Sequence, residues 1–172
     1  MPHSNIDKVT GRSNSIQKII NIFPKGLRLK FNPRRYAIEK FVQRSAKSLK
    51  DNSKVLDAGA GPCPYKKFFS HCSYEATDFV DKHKCLDFVC SLSDIPRKDN
   101  HYDAILNTEV LEHVEHPQKV IDEFHRVLIK GGKLFLTTPQ SWRIHQAPHN
   151  YFYFTSYGLV SLLKMQDFQN IK

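Results

Sequence analysis

The sequence of 172 residues has no apolar run near the length of about 20 residues that is needed to cross a bilayer. Its start, Met1 to Asn5, lacks the apolar core of a secretory signal. Its 4 cysteines form no C-x-x-C pair, so no disulfide framework is indicated. We therefore predict a cytoplasmic protein with reduced thiols and no metal. A zinc site built from His71, Cys72, His83 and Cys85 is the alternative, disfavoured because paired ligands at zinc-finger spacing are missing.

Hydrophobic patterning divides the chain into two parts. Residues 1–31 are predicted to be a basic and partly disordered segment, and residues 32–172 a single folded domain. In that domain we predict strands over residues 55–58, 74–78, 87–90, 102–106 and 133–138. We predict helices beginning at Asn32-Pro33, over 64–69, over 117–128 with Gly131-Gly132 ending it, and over 155–165. This alternation predicts an α/β fold, with a doubly wound, mostly parallel sheet and helices on both faces.

A glycine turn follows the first predicted strand. Gly59 and Gly61 permit a tight turn and a close approach of ligand to backbone, and the next helix should point its N-terminus at the same place. A dinucleotide fingerprint would need a third glycine where Pro64 stands. Asp57 favours a ligand ammonium group, and Asp78, at the end of the next strand, can accept hydrogen bonds from ribose hydroxyls. An amino acid joined to a ribose describes S-adenosylmethionine.

The glycine turn belongs to an ordered set of motifs. The stretch Val55-Leu56-Asp57-Ala58-Gly59-Ala60-Gly61 resembles the first motif of class I S-adenosylmethionine-dependent methyltransferases. Later motifs of the same family are similar to residues 94–96, 102–107 and 110–114, and then to Pro117, Glu123, Arg126-Val127-Leu128 and Gly131-Gly132. The resemblance covers residues 33–166, and its nearest subgroup is the small-molecule type that includes ubiquinone-pathway enzymes. It implies a Rossmann-like fold and S-adenosylmethionine as the cofactor.

The resemblance also implies which residues bind the cofactor, namely Asp57, Ala58, Gly59, Gly61, Asp78, Phe79, Ser91, Leu92, Asn107 and Thr108. Three departures from the family pattern stand out. Cys63 occupies the place of the third glycine of the loop, and Ser91 that of the acid that usually meets the adenine amino group. The two terminal strands that follow in the family are not evident after Asp167-Phe168. An open sheet edge beside residues 134–136 is therefore predicted, and with it either a homodimer or a fragment of a longer protein.

Three histidines are the candidates for catalysis. His145 and His149 lie in the predicted loop after the last strand, where an acceptor would bind, and a histidine there can deprotonate a hydroxyl near neutral pH. His113 is the third candidate, by analogy with the family, while Glu112 is interpreted as structural or solvent-facing. Residues 151–154 are aromatic and are expected either to wall an acceptor pocket or to pack the last helix. The tail pattern over 145–155 favours O-methylation of a small-molecule, sugar, lipid-linked or isoprenoid acceptor.

The basic excess lies entirely in the first 50 residues, which hold 12 Lys or Arg and 2 Asp or Glu. Residues 51–172 hold 14 basic and 15 acidic residues. Residues 16–47, which mix basic with apolar side chains, are predicted either to attach the protein peripherally to an anionic surface at the inner membrane face or to form a lid over the site. Nucleic acid is disfavoured as a partner, because no aromatic and basic interleaving is present. A non-catalytic S-adenosylmethionine-binding module and an RNA-directed methyltransferase remain alternatives.

Overall fold

The computed structural model describes residues 32–172. The chain divides into two compact units, Met1–Lys40 and Phe41–Lys172. In the first unit the Asn32 carboxamide oxygen accepts a hydrogen bond from the Arg35 backbone N–H at 3.2 Å, which is the predicted cap. The predicted basic segment over residues 1–31 lies outside the described residues, as does the first half of the region 16–47 proposed to meet a membrane or form a lid.

The elements follow one another in the predicted order. They are α1 (Pro33–Lys47), β1 (Lys54–Ala58), a 3₁₀ turn (Lys66–Phe69), β2 (Ser73–Asp78), β3 (Phe88–Val89), β4 (Tyr102–Thr108), a second 3₁₀ turn (Leu111–His113), α2 (Pro117–Val127), β5 (Leu128–Thr137) and α3 (Ser156–Lys164). The Thr155 hydroxyl caps α3 by accepting the Gly158 N–H at 3.0 Å, as predicted.

The five strands form one sheet in the order β3-β2-β1-β4-β5, and every neighbouring pair is parallel. The strand order reverses between β1 and β4, so the connections after these two strands leave on opposite sides. A crevice opens at such a point beyond the carboxyl ends of the strands, and ligands of open α/β sheets bind there. The prediction of a doubly wound sheet is confirmed, and the pairing is wholly rather than mostly parallel.

Helices cover both faces of the sheet, as predicted. Leu134 and Leu136 of β5 pack into the main apolar cluster, which α2 and α3 line with Ile121, Phe124 and Leu163. Phe135 points to the opposite face, because side chains alternate along a strand, and there its ring contacts Phe41 of α1 at 6.4 Å between centroids. The strands are therefore fixed from both sides, and their carboxyl ends are held in place.

Two local predictions are wrong. Residues 64–69 form only the 3₁₀ turn Lys66–Phe69, since Pro62 and Pro64 withhold two backbone donors, so no helix N-terminus faces the glycine turn. The Gly131-Gly132 pair does not end α2, which stops at Val127. It lies within β5, where the register shifts between Tyr102 and Ala104, and Gly131 takes a φ of 78° in the resulting bulge.

The edge of the sheet formed by β5 pairs with β4 on one side, and no strand pairs with its other side within residues 32–172. This agrees with the predicted open edge beside residues 134–136.

In the same part of the chain, no helix is both long enough and apolar enough to cross a membrane.

Candidate active site

The glycine turn after β1 is folded back onto β2. The backbone N–H groups of Gly59 and Ala60 donate to the Thr77 carbonyl at 2.8 and 3.0 Å. Gly59 has a φ of 81° and Gly61 a φ of 52°, which is the left-handed region that glycine adopts without strain. A Cβ at Gly59 would collide with the side chain of Val110, which follows β4. The turn therefore needs glycine for its backbone and for its packing.

Cys63 continues this turn with a φ of 50°, which explains why the family places glycine there. Its sulfur lies 2.7 Å from the sulfur of Cys85, and the Cys85 thiol also donates to the Gly61 carbonyl at 3.3 Å. Burial, reinforced by the hydrogen bond to Cys85, raises the pKa of the Cys63 thiol to about 12. The thiol is therefore protonated at neutral pH and serves to hold the loop.

Asp57, the third of the four buried β1 residues, is 1% exposed. The Tyr74 hydroxyl donates to its Oδ2 at 2.5 Å, whereas its Oδ1 has no hydrogen-bond partner among the described residues. Burial raises the pKa of Asp57 to about 7, against the lowering effect of the Tyr74 hydrogen bond. A buried carboxylate oxygen without a donor fits the ammonium group of the methionine end of S-adenosylmethionine.

Asp78 ends β2 beside the glycine turn. Its Oδ2 accepts the Gly61 backbone N–H at 3.1 Å, and its Oδ1 accepts the N–H of Phe79 at 2.7 Å. The carboxylate is thus fixed at the carboxyl end of the sheet, where the resemblance places the ribose. Phe79 is 75% exposed and makes an accessible apolar surface next to it.

The segment expected to meet adenine is anchored by α2. Glu123 accepts the Ile95 backbone N–H at 2.7 Å, and Arg126 donates to the Ile95 carbonyl at 3.0 Å. Leu92 is buried, and the exposed Ser91 pairs its hydroxyl with that of Ser93 at 2.8 Å. Ser91 therefore offers a short neutral hydroxyl where the family has an acid.

Asn107 joins the two strands that border the crevice. It is fully buried in β4, and its Nδ2 donates to the carbonyl of Ala58 in β1 at 2.8 Å. Its Oδ1 has no partner in residues 32–172, so it is a second buried acceptor without a donor near the carboxyl ends of β1 and β4. Thr108 ends the strand. A buried acceptor without a donor suits a ligand that brings its own donors.

The three candidate histidines lie together beyond β4 and β5. The rings of His113 and His145 meet edge to face, with 4.6 Å between centroids. The carbonyl of His149 lies 2.6 Å from Nδ1 of His113, whereas the His149 ring faces Tyr151, with 3.2 Å from Nδ1 to the hydroxyl. The structure thus brings the His113 and His145 rings together and gives His149 a backbone contact to them.

Glu112 completes this cluster, and the interpretation of Glu112 as solvent-facing is wrong. The residue has no exposed surface, and its Oε1 lies 3.8 Å from Nε2 of His113. The Thr138 hydroxyl donates to its Oε2 at 3.3 Å. The 3₁₀ turn after β4 directs Glu112 inwards, and no periodicity in so short a segment could have revealed this.

One residue of the aromatic stretch packs against the core, and the role of the other three as the wall of an acceptor pocket stays a prediction. Phe154 packs against the main core, while Tyr151, Phe152 and Tyr153 are 36–41% exposed. Tyr74 was not predicted as a site residue, although it holds Asp57. The parallel register explains this contact, because it pairs Tyr74 with Val55. Val55 and Asp57 point to the same face of β1, so Tyr74 lies on the Asp57 face of the neighbouring strand.

The zinc alternative does not form in the described part of the chain. His71 has its Nε2 3.2 Å from the Ala46 carbonyl, and Cys85 pairs with Cys63 rather than with Cys72 or His83. The one group of three or more histidine, cysteine or carboxylate side chains found together there is Glu112, His113 and His145.

Comparison with known families gives a match over nearly the whole described region. A family described as a methyltransferase domain matches residues 31–171. Among solved structures, phosphoethanolamine N-methyltransferase 2 of Haemonchus contortus, in complex with S-adenosylmethionine, superposes with a TM-score of 0.67 and 14% identity, over 80% of this chain and 38% of that one. This likeness confirms the fold.

Three curated proteins are also similar. MJ1123 of Methanocaldococcus jannaschii is 33% identical over 47% of this chain and 42% of its own length. A probable tRNA methyltransferase 9B of Bos taurus is 30% identical over 55% of this chain and 23% of its own length. The mitochondrial ubiquinone biosynthesis O-methyltransferase of Dictyostelium discoideum is 38% identical over 23% of this chain and 12% of its own length. The chain spans less than half the length of these relatives.

Proposed function

The chain belongs to the methyltransferase-domain family of class I, S-adenosylmethionine-dependent enzymes, and we propose that it methylates a hydroxyl of a small-molecule, sugar, lipid-linked or isoprenoid acceptor. One observation carries the proposal: the edge-to-face pair of His113 and His145 beyond the carboxyl ends of β4 and β5. Imidazole is the side chain best suited to take a proton from a hydroxyl near neutral pH. The short match to the Dictyostelium O-methyltransferase supports the same chemistry.

The cofactor residues have distinct roles in the proposal. Asp57 offers a buried oxygen without a donor, which would take a hydrogen bond from the amino-acid end of S-adenosylmethionine, while Asn107 and Thr108 would line the floor near the sulfonium. Asp78 would bind the ribose hydroxyls and the Leu92 N–H the adenine. When bound, S-adenosylmethionine supplies an electrophilic methyl group, so the protein contributes alignment and exclusion of water.

The acceptor residues lie one turn further along the chain. Asn107 and Thr108 end β4, and the 3₁₀ turn that follows carries Glu112 and His113. The three catalytic candidates stay His145, His149 and His113. We assign the proton acceptor to His145, because its ring is partly exposed whereas Nε2 of His113 is buried. His149 would then act through its carbonyl, which orients His113.

The test is a transfer assay with methyl-labelled S-adenosylmethionine and four acceptor classes: an isoprenoid phenol, a lipid-linked sugar, a fatty acid and tRNA. We expect label in the phenol or sugar as an alkali-stable ether. His145→Ala should lower kcat by about 10²–10⁴-fold with cofactor affinity unchanged. His116→Ala is the matched control, since its exposed side chain lies outside the cluster and, although His116 is the N-cap residue of α2, makes no capping hydrogen bond.

Two results would refute the proposal. Alkali-labile label in the fatty acid would show carboxyl methylation, which needs no base. Tight cofactor binding without transfer to any acceptor would favour the non-catalytic module.

RNA is the second candidate acceptor, favoured by the similarity to tRNA methyltransferase 9B and by the basic first 50 residues. The turn after β4 reads Asn107-Thr108-Glu109 rather than the Asn/Asp-Pro-Pro-aromatic loop of enzymes that methylate exocyclic amines of bases. Transfer of label to tRNA but to neither hydroxyl compound would decide for this candidate.

A further inference from the structure

Two buried polar atoms in the Glu112 cluster face each other without hydrogen bonds. Glu112 Oε1 and His113 Nε2 both lack a hydrogen-bond partner in the described chain, and they are 3.8 Å apart. Glu112 has no exposed surface at all. A buried carboxylate is costly unless it is paired or coordinates a metal, and at this separation the two atoms leave room between them.

The hydrogen bonds of the histidines define which ring nitrogen is free. Nδ1 of His113 lies 2.6 Å from the His149 carbonyl, and Nδ1 of His145 lies 3.2 Å from the Arg143 carbonyl. A carbonyl oxygen only accepts, so in each ring Nδ1 is the donor. In the neutral ring Nε2 then carries the lone pair. In their neutral form both histidines therefore present Nε2 as the ligand atom, in the manner of metal-bound histidines that donate Nδ1–H to a carbonyl.

The ligand atoms of Glu112, His113 and His145 all lie within 4.8 Å of one another. Ligands held at about 2.0–2.2 Å from a tetrahedral metal are about 3.4 Å apart, so a small rotation of the partly exposed His145 ring closes the set. The Thr138 hydroxyl donates to Glu112 Oε2, which orients the carboxylate and leaves Oε1 free.

We propose that Glu112, His113 and His145 bind a divalent transition metal ion, and that an open coordination position receives the acceptor hydroxyl. Two imidazoles and one carboxylate suit Zn²⁺, Fe²⁺, Co²⁺ or Mn²⁺, and three protein ligands leave at least one position open. With the metal bound, His145 is a ligand and the metal replaces it as the means of activating the acceptor: the coordinated hydroxyl has a lowered pKa, releases its proton to solvent and becomes a better nucleophile. This part rests on the proposed O-methylation, whereas the metal site itself does not.

The test is a titration of the chelator-treated full chain with Co²⁺ alone, in the absence of cofactor and acceptor, followed by visible absorption. We expect one equivalent to bind, with the bands of a nitrogen and oxygen site. Outer-shell partners alone change metal affinity by about 10–100-fold, so His145→Ala should cost at least that. Glu112→Gln should do the same, and circular dichroism would verify that this buried variant folds. His116→Ala should bind as the parent does.

Three outcomes would overturn the metal site: no bound Co²⁺, equal affinity in the His145→Ala variant, or thiolate charge-transfer absorption, which would place the ion at Cys63 and Cys85. None of them concerns O-methylation. Hydroxyl methylation that survives metal removal would leave the proposed function standing and refute the metal's part in the reaction. Binding of Co²⁺ by a protein that methylates no hydroxyl would refute the proposed function but would leave the proposed metal site standing.

Discussion

Cofactor affinity should depend on pH through Asp57. Burial raises the pKa of this carboxyl to about 7, so near neutral pH the free protein holds it half ionised. Only the ionised form attracts the ammonium group of S-adenosylmethionine. If binding requires that form, affinity should fall about tenfold from pH 8 to pH 6, because about nine in ten molecules are then protonated at the lower pH.

The same shift affects stability. The folded-state pKa lies above the ordinary value of 3.8, so the fold binds this proton more tightly than the unfolded chain does. Its contribution to stability is therefore fully present below about pH 4 and is lost as pH rises through 7. The loss amounts to about 4 kcal/mol for a group this deeply buried. Cofactor binding above pH 7 should recover part of it, as a rise in melting temperature on ligand addition that is larger at pH 8 than at pH 6.

The assay is calorimetric titration with S-adenosylmethionine between pH 6 and pH 8, in two buffers of different ionisation enthalpy. We expect proton release on binding near pH 7. Asp57→Asn should bind weakly and show a flat pH profile. Tyr74→Phe removes the hydrogen bond that lowers the Asp57 pKa, so its profile should move to higher pH. A flat profile in the parent, or an unmoved one in Tyr74→Phe, would refute the reasoning.

Four further predictions follow from the same site and sheet. Asp78→Ala should weaken S-adenosylmethionine binding by about 2–3 kcal/mol in calorimetry. The effect should exceed that of Asp78→Asn, because alanine also leaves the Gly61 N–H without its acceptor. Unchanged affinity would contradict the ribose role. Ser91→Asp should strengthen binding by about 0.5–1.5 kcal/mol through a hydrogen bond to the adenine amino group, and no gain would mean that adenine is held elsewhere. The unpaired edge of β5 should make the chain dimerise, which light scattering would detect and a stable monomer at high concentration would contradict. Deletion of residues 1–31 separates the two roles of that segment. If it is a membrane anchor, the deletion should leave cofactor affinity intact and abolish salt-sensitive sedimentation with anionic vesicles. If it is a lid, the deletion should weaken cofactor binding, and neither the full chain nor the shortened chain should bind vesicles.

The sheet could be predicted because the sequence patterns that indicate its strands lie within short segments of the chain. Each strand carries an apolar run of its own, and the carboxyl-end placement of Asp57, Asp78 and Asn107 follows once the strands are parallel. The bounds of β5 were not predictable, since Gly131-Gly132 has the composition of a helix stop and only the pairing with β4 shows that it forms a bulge.

The inward direction of Glu112 and the hydrogen bond from Tyr74 to Asp57 were equally beyond sequence reasoning. Each depends on a contact between strands or loops, and no spacing along the chain encodes such a contact. The histidine positions were predicted from their place after the strands, but the shared orientation of Nε2 in His113 and His145 arises from carbonyl groups of a loop without regular structure.

The side chain of Val110 occupies the space that a Cβ at Gly59 would need. Glu112 and His113 lie two and three residues further on, so one valine connects the glycine turn to the histidine cluster. A residue larger than glycine at position 59 would therefore displace Val110 and disturb the glycine turn and the histidine cluster together.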